Sequence, residues 1–144
     1  MSIWKTPFTL ESINKMNENT MVDYLGIQIS EKGDDFLAAT MPVDHRTKQV
    51  FGIMHGGASA ALAETVGSLA ANFAVDLDHF YCVGLDINTS HIKMAKEGFV
   101  KAIARPVHLG KSTHVWQVMA FNEQDELVSL SRLTMAVLEK KKSK

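Results

Sequence analysis

The sequence predicts an α+β domain in which one antiparallel sheet of about six strands wraps around one long central helix. Three observations carry this expectation. The 144 residues suit one compact domain, with no repeat, linker or low-complexity stretch to mark a boundary. Residues 57–73 hold apolar side chains at helical spacing. The remaining strand-like segments come in runs rather than in alternation with helices, which separates an antiparallel α+β sheet from a parallel α/β one.

Thr9 can cap a short helix carrying Leu10, Ile13 and Met16. Thr20 with Asp23 predicts a second helical turn closed by Gly26, so residues 9–25 form a short N-terminal helical segment. The period then changes to two. Ile27 and Ile29 alternate with polar residues, Gly33-Asp34 marks a hairpin, and Leu37, Ala39, Met41 and Val43 share a face. In the long helix Leu62, Val66, Leu69 and Phe73 make one stripe. Its other side carries Gly57, Ala60, Ala61 and Gly67, and a helix so apolar all round is expected to be covered all round. Four strands follow. Tyr81, Val83, Leu85 and Ile87 alternate strictly with Cys82, Gly84, Asp86 and Asn88. Residues 99–108 come next, then Val115 to Phe121. A turn at residues 122–125 leads into Leu127 to Leu138. The basic tail, 140–144, is expected to be a frayed end.

Composition narrows the function. Apolar residues make up 46% and charged residues 22%, and 15 Lys+Arg nearly balance 16 Asp+Glu. That balance argues against a nucleic-acid partner. A single cysteine, Cys82, and an N-terminus without an apolar signal core predict a cytoplasmic protein. Residues 49–75 are weakly charged but contain Glu64, His55 and several small polar residues, so no membrane span is expected. The six histidines lack metal-ligand spacing, and no phosphate-binding glycine loop is present. Neither a metal nor a cofactor is therefore expected.

Glu64 is the outstanding residue. It is the only Asp, Glu, Lys or Arg between Lys48 and Asp76. It lies roughly 20° around the helix from Gly57, on the small-residue face, and is expected to be buried there. His55-Gly56-Gly57 immediately precedes the helix, where backbone N–H groups and the helix dipole favour negative charge. An oxyanion forming on an acyl carbonyl suits that place. Gln49, six residues upstream, can supply a second donor. Ser59 sits in an incomplete nucleophile-elbow pattern, but the chain lacks the parallel α/β sheet that pattern needs. Lys93, Lys96, Lys101, Arg105 and Lys111 against Glu97 alone make a local charge of five minus one, +4, suited to a phosphorylated small molecule.

The stretch FGIMHGGASAALAETVGS (51–68) resembles the core signature of the hotdog-fold acyl-CoA thioesterases, in the 4-hydroxybenzoyl-CoA thioesterase branch that uses a Glu on the central helix. IWK (3–5), MPVD (41–44), RTKQ (46–49), VGLDIN (83–88), His91 and HLG (108–110) extend the resemblance along nearly the whole chain, toward the 1,4-dihydroxy-2-naphthoyl-CoA thioesterases of menaquinone biosynthesis. The resemblance implies a single hotdog domain over residues 1–144, assembled as dimers with shared active sites and further as homotetramers. It implies hydrolysis of aryl- or medium-chain acyl-CoA to free acid and CoA. Glu64 would be nucleophile or general base, Gly56 N–H the oxyanion donor helped by Gln49, with Ser68 holding water or substrate and His55 orienting Gln49 or assisting the thiolate. Gly57, Leu69 and Asn72 would line the substrate, while His91, Lys93, Gly110, Lys111 and Ser112 would lie toward CoA. The alternatives on the same fold are a 3-hydroxyacyl thioester dehydratase, which also pairs a His with a helix Glu, and a non-catalytic acyl-CoA binding module.

Overall fold

The computed structural model describes residues 1–142; Ser143 and Lys144 of the predicted basic tail lie outside them. Three helices and six strands run in the order α1 (Leu10–Met16), α2 (Met21–Tyr24), β1 (Gln28–Lys32), β2 (Leu37–Pro42), α3 (Gly56–Phe73), β3 (Phe80–His91), β4 (Phe99–Leu109), β5 (Thr113–Phe121) and β6 (Leu127–Glu139). The strands form one antiparallel sheet in the order β1-β2-β4-β5-β6-β3, with α3 packed across it. Leu62, Val66 and Ala70 of α3 are fully buried, as are Leu37, Met41, Val100, Trp116, Leu133 and Met135 of the sheet. A Cβ at Gly67 would stand 2.6 Å from Leu133 Cδ2, so the glycine lets the helix settle close onto β6. Gly67 therefore belongs to the sheet-facing side and not to the small-residue face expected for it. Among the described residues no helix is long and apolar enough to cross a membrane.

α1 is tied down before the sheet begins. Thr9 and Ser12 form a reciprocal capping box, and Ile13 is fully buried. The Asn14 amide donates to Ile29 O and accepts from Ile29 N, both at 2.9 Å, as though α1 added a rung to β1. The predicted segment 9–25 is broken at Asn17–Thr20, where Asn19 takes a positive φ of 61°.

Two expectations are corrected here. The alternation in β3 does not persist, because an irregularity between Gly84 and Asp86 inserts Leu85 as an extra residue against β6. The phase flips across this bulge. Cys82 is buried before it and Ile87 packs on the core after it, while Tyr81, Val83 and Leu85 face outward. Second, α3 is not covered all round. The sheet covers one side, and Gly57, Ala60, Ala61, Glu64 and Ser68 remain partly or fully accessible. The tail also begins in order rather than fraying at once: Lys140 N–H donates to His79 O at 2.8 Å, and its ammonium reaches Leu77 O.

Candidate active site

An α-helix begins with backbone N–H groups that have no partner within the helix. In α3 nearly all of them are satisfied locally. The Gly57 N–H donates to His55 Nδ1 at 2.8 Å, while Ala58 N–H and Ser59 N–H both donate to His55 O. Only the Gly56 N–H has no acceptor among the described residues. It lines a pocket of about 230 Å³ with Gln49, Ser59, His91 and Lys93. One unpaired donor at the positive end of an 18-residue helix is an anion site of a single N–H. A Cβ there would stand 2.9 Å from His91 Nε2, so glycine lets the His91 ring lie against the start of the helix. His55 thus acts as the helix cap, with Nδ1 accepting and the proton of the neutral ring on Nε2. It makes no hydrogen bond to Gln49, so the expected orienting contact is absent.

The loop before α3 delivers Gln49 to the same pocket. Thr47, 1% exposed, donates from Oγ1 to Pro42 O at 2.7 Å and accepts from Asp44 N–H. Asp44 pairs with Arg46 at 2.7 Å. The Gln49 N–H donates to Ile53 O and the His55 N–H to Thr47 O, closing the loop on itself. The Gln49 side chain accepts from Phe51 N–H through Oε1, which leaves its NH₂ free to donate toward the pocket.

Glu64 occupies a different groove, of about 310 Å³, with Ser68 one turn on and Leu69 beside it. Its opposite wall comes from Asn17, Met21 and Val22 of the N-terminal segment, none of which was foreseen. Sequence patterning gives these three no functional mark. The expected burial of Glu64 is corrected: the carboxylate is exposed in the protomer and makes no hydrogen bond among the described residues. It lies under β3, where a Cβ at Gly84 would stand 2.9 Å from Oε1. Gly56 and Glu64 thus line separate pockets of one chain.

Residues 51–129 match the family model described as the thioesterase superfamily. The chain belongs to the thioesterase superfamily. It is 48% identical over 136 residues to the 1,4-dihydroxy-2-naphthoyl-CoA hydrolase of Escherichia coli, covering 94% of this chain and 99% of that protein. The solved structure of a Haemophilus influenzae thioesterase matches with a TM-score of 0.93 at 47% identity, over 95% of each chain. Two alanine variants of a Staphylococcus aureus thioesterase also match, one at a glutamine and one at a glutamate fifteen residues further on. Their TM-scores are 0.78 and 0.80, both at 38% identity, over 81% and 83% of this chain and 97% and 99% of theirs. The sheet wrapped on one helix is the hotdog fold of these enzymes, and the chain is a thioester hydrolase.

The remaining site residues expected in this thioesterase are scattered, with two groups lining cavities. His91 and Lys93 line the Gly56 pocket. Gly110 and Lys111 line another cavity, with Phe80 and His114, beyond the C-terminal end of α3. The two groups stand at opposite ends of β3, roughly 35 Å apart for twelve residues of strand. Ser112 accepts from Val137 N–H through its backbone carbonyl at 2.9 Å. Asn72 is taken up by the fold: its amide donates to Ser68 O and Cys82 O and accepts from Cys82 N–H, pinning α3 to β3. The local +4 is also corrected, because acids from distant sequence pair with three of its five cations and leave about +1. Lys93 pairs with Glu126, Lys101 with Glu31 and Arg105 with Asp35. Lys96 and Lys111 make no ion pair among the described residues. Burial pushes the Cys82 thiol up to about 11, which leaves it protonated and inert.

Proposed function

We propose that this thioesterase hydrolyses acyl-CoA esters of aryl or medium-chain acids, 1,4-dihydroxy-2-naphthoyl-CoA among them, with Glu64 as the essential acid. The observation that carries the reading is the single free N–H of Gly56 at the start of α3, with the free Gln49 amide in the same pocket. Two donors in one pocket suit a thioester oxygen that gains charge as the carbonyl carbon is attacked. Glu64 either attacks that carbon, giving a mixed anhydride that water then cleaves, or removes a proton from the attacking water. The C–S bond breaks in either case and CoA leaves as the thiolate. The glutamine and glutamate altered in the Staphylococcus aureus enzyme are fifteen residues apart, as Gln49 and Glu64 are here. The substrate named for the Escherichia coli relative supports the aryl reading.

A complete site on this reading takes two subunits. Eight residues separate Gly56 from Glu64, roughly 12 Å along the axis, whereas a reacting carbonyl needs both within about 3 Å. β3 is a sheet edge with free backbone groups, and the uncovered small-residue face of α3 lies behind it. Pairing β3 antiparallel with a second copy about a two-fold at Asn88, with Leu85 left out as the bulge residue, sets Gly84 of each chain opposite His91 of the other. Since Glu64 lies under Gly84 and Gly56 against His91, each Glu64 then meets the partner's Gly56. The same pairing carries the partner's Phe80 end, with Gly110 and Lys111, toward Lys93, which reunites the scattered CoA-side residues.

The reading is tested by thiol release from a panel of acyl-CoA esters. The wild type should release CoA from aryl esters without hydrating crotonyl-CoA. Glu64→Gln should lower kcat by on the order of 10²–10⁴ while still binding the ester. Activity of Glu64→Gln within a few-fold of wild type would overturn the assignment.

A further inference from the structure

The loop that carries Gln49 is a miniature hairpin. Lys48 and Met54 form an antiparallel bridge, the Gln49 N–H donates to Ile53 O at 2.8 Å, and the Gly52 N–H returns to Gln49 O at 3.0 Å. Val50, Phe51 and Gly52 are therefore its three-residue tip, and Gly52, in the third place, takes a φ of 81°. That is the left-handed position that closes three-residue hairpins, and glycine fills it at no steric cost. Side chains of the tip do not anchor it, since Val50 and Phe51 are 93% and 84% exposed. The tip does hold one side chain of the site: the Phe51 N–H donates to Gln49 Oε1. An amide whose oxygen is taken offers its NH₂ elsewhere. We infer that Gly52 is a positioning residue for thioester hydrolysis: its left-handed turn aims the Phe51 N–H at Gln49 and so fixes which end of that amide faces the Gly56 pocket.

The choice of end matters because the two ends of a glutamine amide are alike in size and opposite in polarity. With the NH₂ toward the pocket, the amide stabilises charge growing on the thioester oxygen. Turned end for end, it sets a carbonyl oxygen against that charge. Among the described residues the Phe51 N–H is the only group hydrogen-bonded to the Gln49 side chain, so the choice rests on it. That N–H is aimed correctly only while the chain turns through residues 50 and 51 and bends left-handed at 52 to rejoin Ile53. A side chain at Gly52 would stand in open space, with no atom beyond its chain neighbours within 4 Å of the Cβ position. Substitution there alters backbone preference and leaves packing alone. Asparagine tolerates the left-handed region, whereas a β-branched valine is strained in it.

The inference rests on Gln49 being a donor in the proposed reaction. Its test measures kcat and KM in the wild type, Gly52→Asn, Gly52→Val, Gln49→Ala and the double variant Gln49→Ala, Gly52→Val. The substrate is whichever ester of the acyl-CoA panel the wild type cleaves fastest, and melting curves set an assay temperature at which every protein is folded. Gly52→Val should lower kcat about tenfold with KM within about twofold, because a misaimed donor is missed in the transition state more than in binding. Gly52→Asn should keep kcat within about twofold. In the Gln49→Ala background Gly52→Val should change kcat by less than about twofold, because the group it aims is gone. An equal loss in both backgrounds, an asparagine as damaging as the valine, or a valine without effect beside an impaired Gln49→Ala overturns the role of Gly52 and leaves the hydrolytic reading intact. Wild-type kcat in Gln49→Ala overturns Gln49 as a donor and this inference with it, and no turnover of any ester in the panel overturns both readings.

Discussion

At the scale of single residues the site depends on what is missing from two glycines. Gly56 has no side chain to strike His91, and Gly84 none to strike the Glu64 carboxylate. Gly84→Ala separates position from stability. The Cβ meets only the mobile end of a Glu side chain, so the fold can yield cheaply while the carboxylate moves. The melting temperature should change by no more than about 2 °C. Yet kcat should fall on the order of 10- to 100-fold, because a reacting group displaced by an ångström loses its geometry. Kinetics and a thermal melt on the same preparation check this; a fall in both together would mean that Gly84 only supports the fold. Glu64 was legible in the sequence as the lone charge on an apolar helix. Its exposure was not, because a small-residue face left open has the same composition as one buried within the chain. Asn17 was not legible either, since lining a groove is a property of the packed neighbourhood and leaves no trace in patterning.

At the scale of elements the loop between β2 and α3 is the part that aims Gln49, and its latch is Asp44. Hydrogen bonds from the Arg46 guanidinium and backbone hold the Asp44 carboxyl down at about 2, well below the usual carboxylate range. A depressed carboxyl contributes stability while it is ionised in both states, and that contribution is lost as pH falls through its folded value. Asp44→Asn should therefore melt roughly 1–3 °C below wild type at pH 7, as expected for a partly exposed pair. The gap should hold down to about pH 4 and close as pH approaches 2. Melting curves of both proteins across that range decide it, and a gap independent of pH would assign the effect to something other than the charge. The strands and α3 were readable because alternation and helical period are strong signals. The β3 bulge was not, since the alternation runs unbroken through Leu85 and only pairing with β6 expels a residue. The ion pairs that reduce the local +4 escaped for a similar reason: Glu31–Lys101 and Arg105–Asp35 each join residues 70 apart.

At the scale of the whole molecule, the proposed function divides each active site between two copies of the chain. Gly56 and Gln49 stand at one end of β3 and Glu64 lies beneath its middle, while the residues proposed to lie toward CoA divide between its ends. The hotdog architecture explains how so short a chain exposes one face of its central helix, and an edge strand of twelve residues offers a second copy a long hydrogen-bonding surface. The claim that the acid and the donors act across subunits is tested most directly by mixing Glu64→Ala with Gln49→Ala. Each variant alone should be weak. After subunit exchange at equal amounts, half the dimers are mixed and one site in each has both wild-type groups, so activity should return to about a quarter of wild type. No recovery in a mixture that native mass spectrometry shows to contain the mixed dimer would place Glu64 and Gln49 in the same subunit and contradict this account.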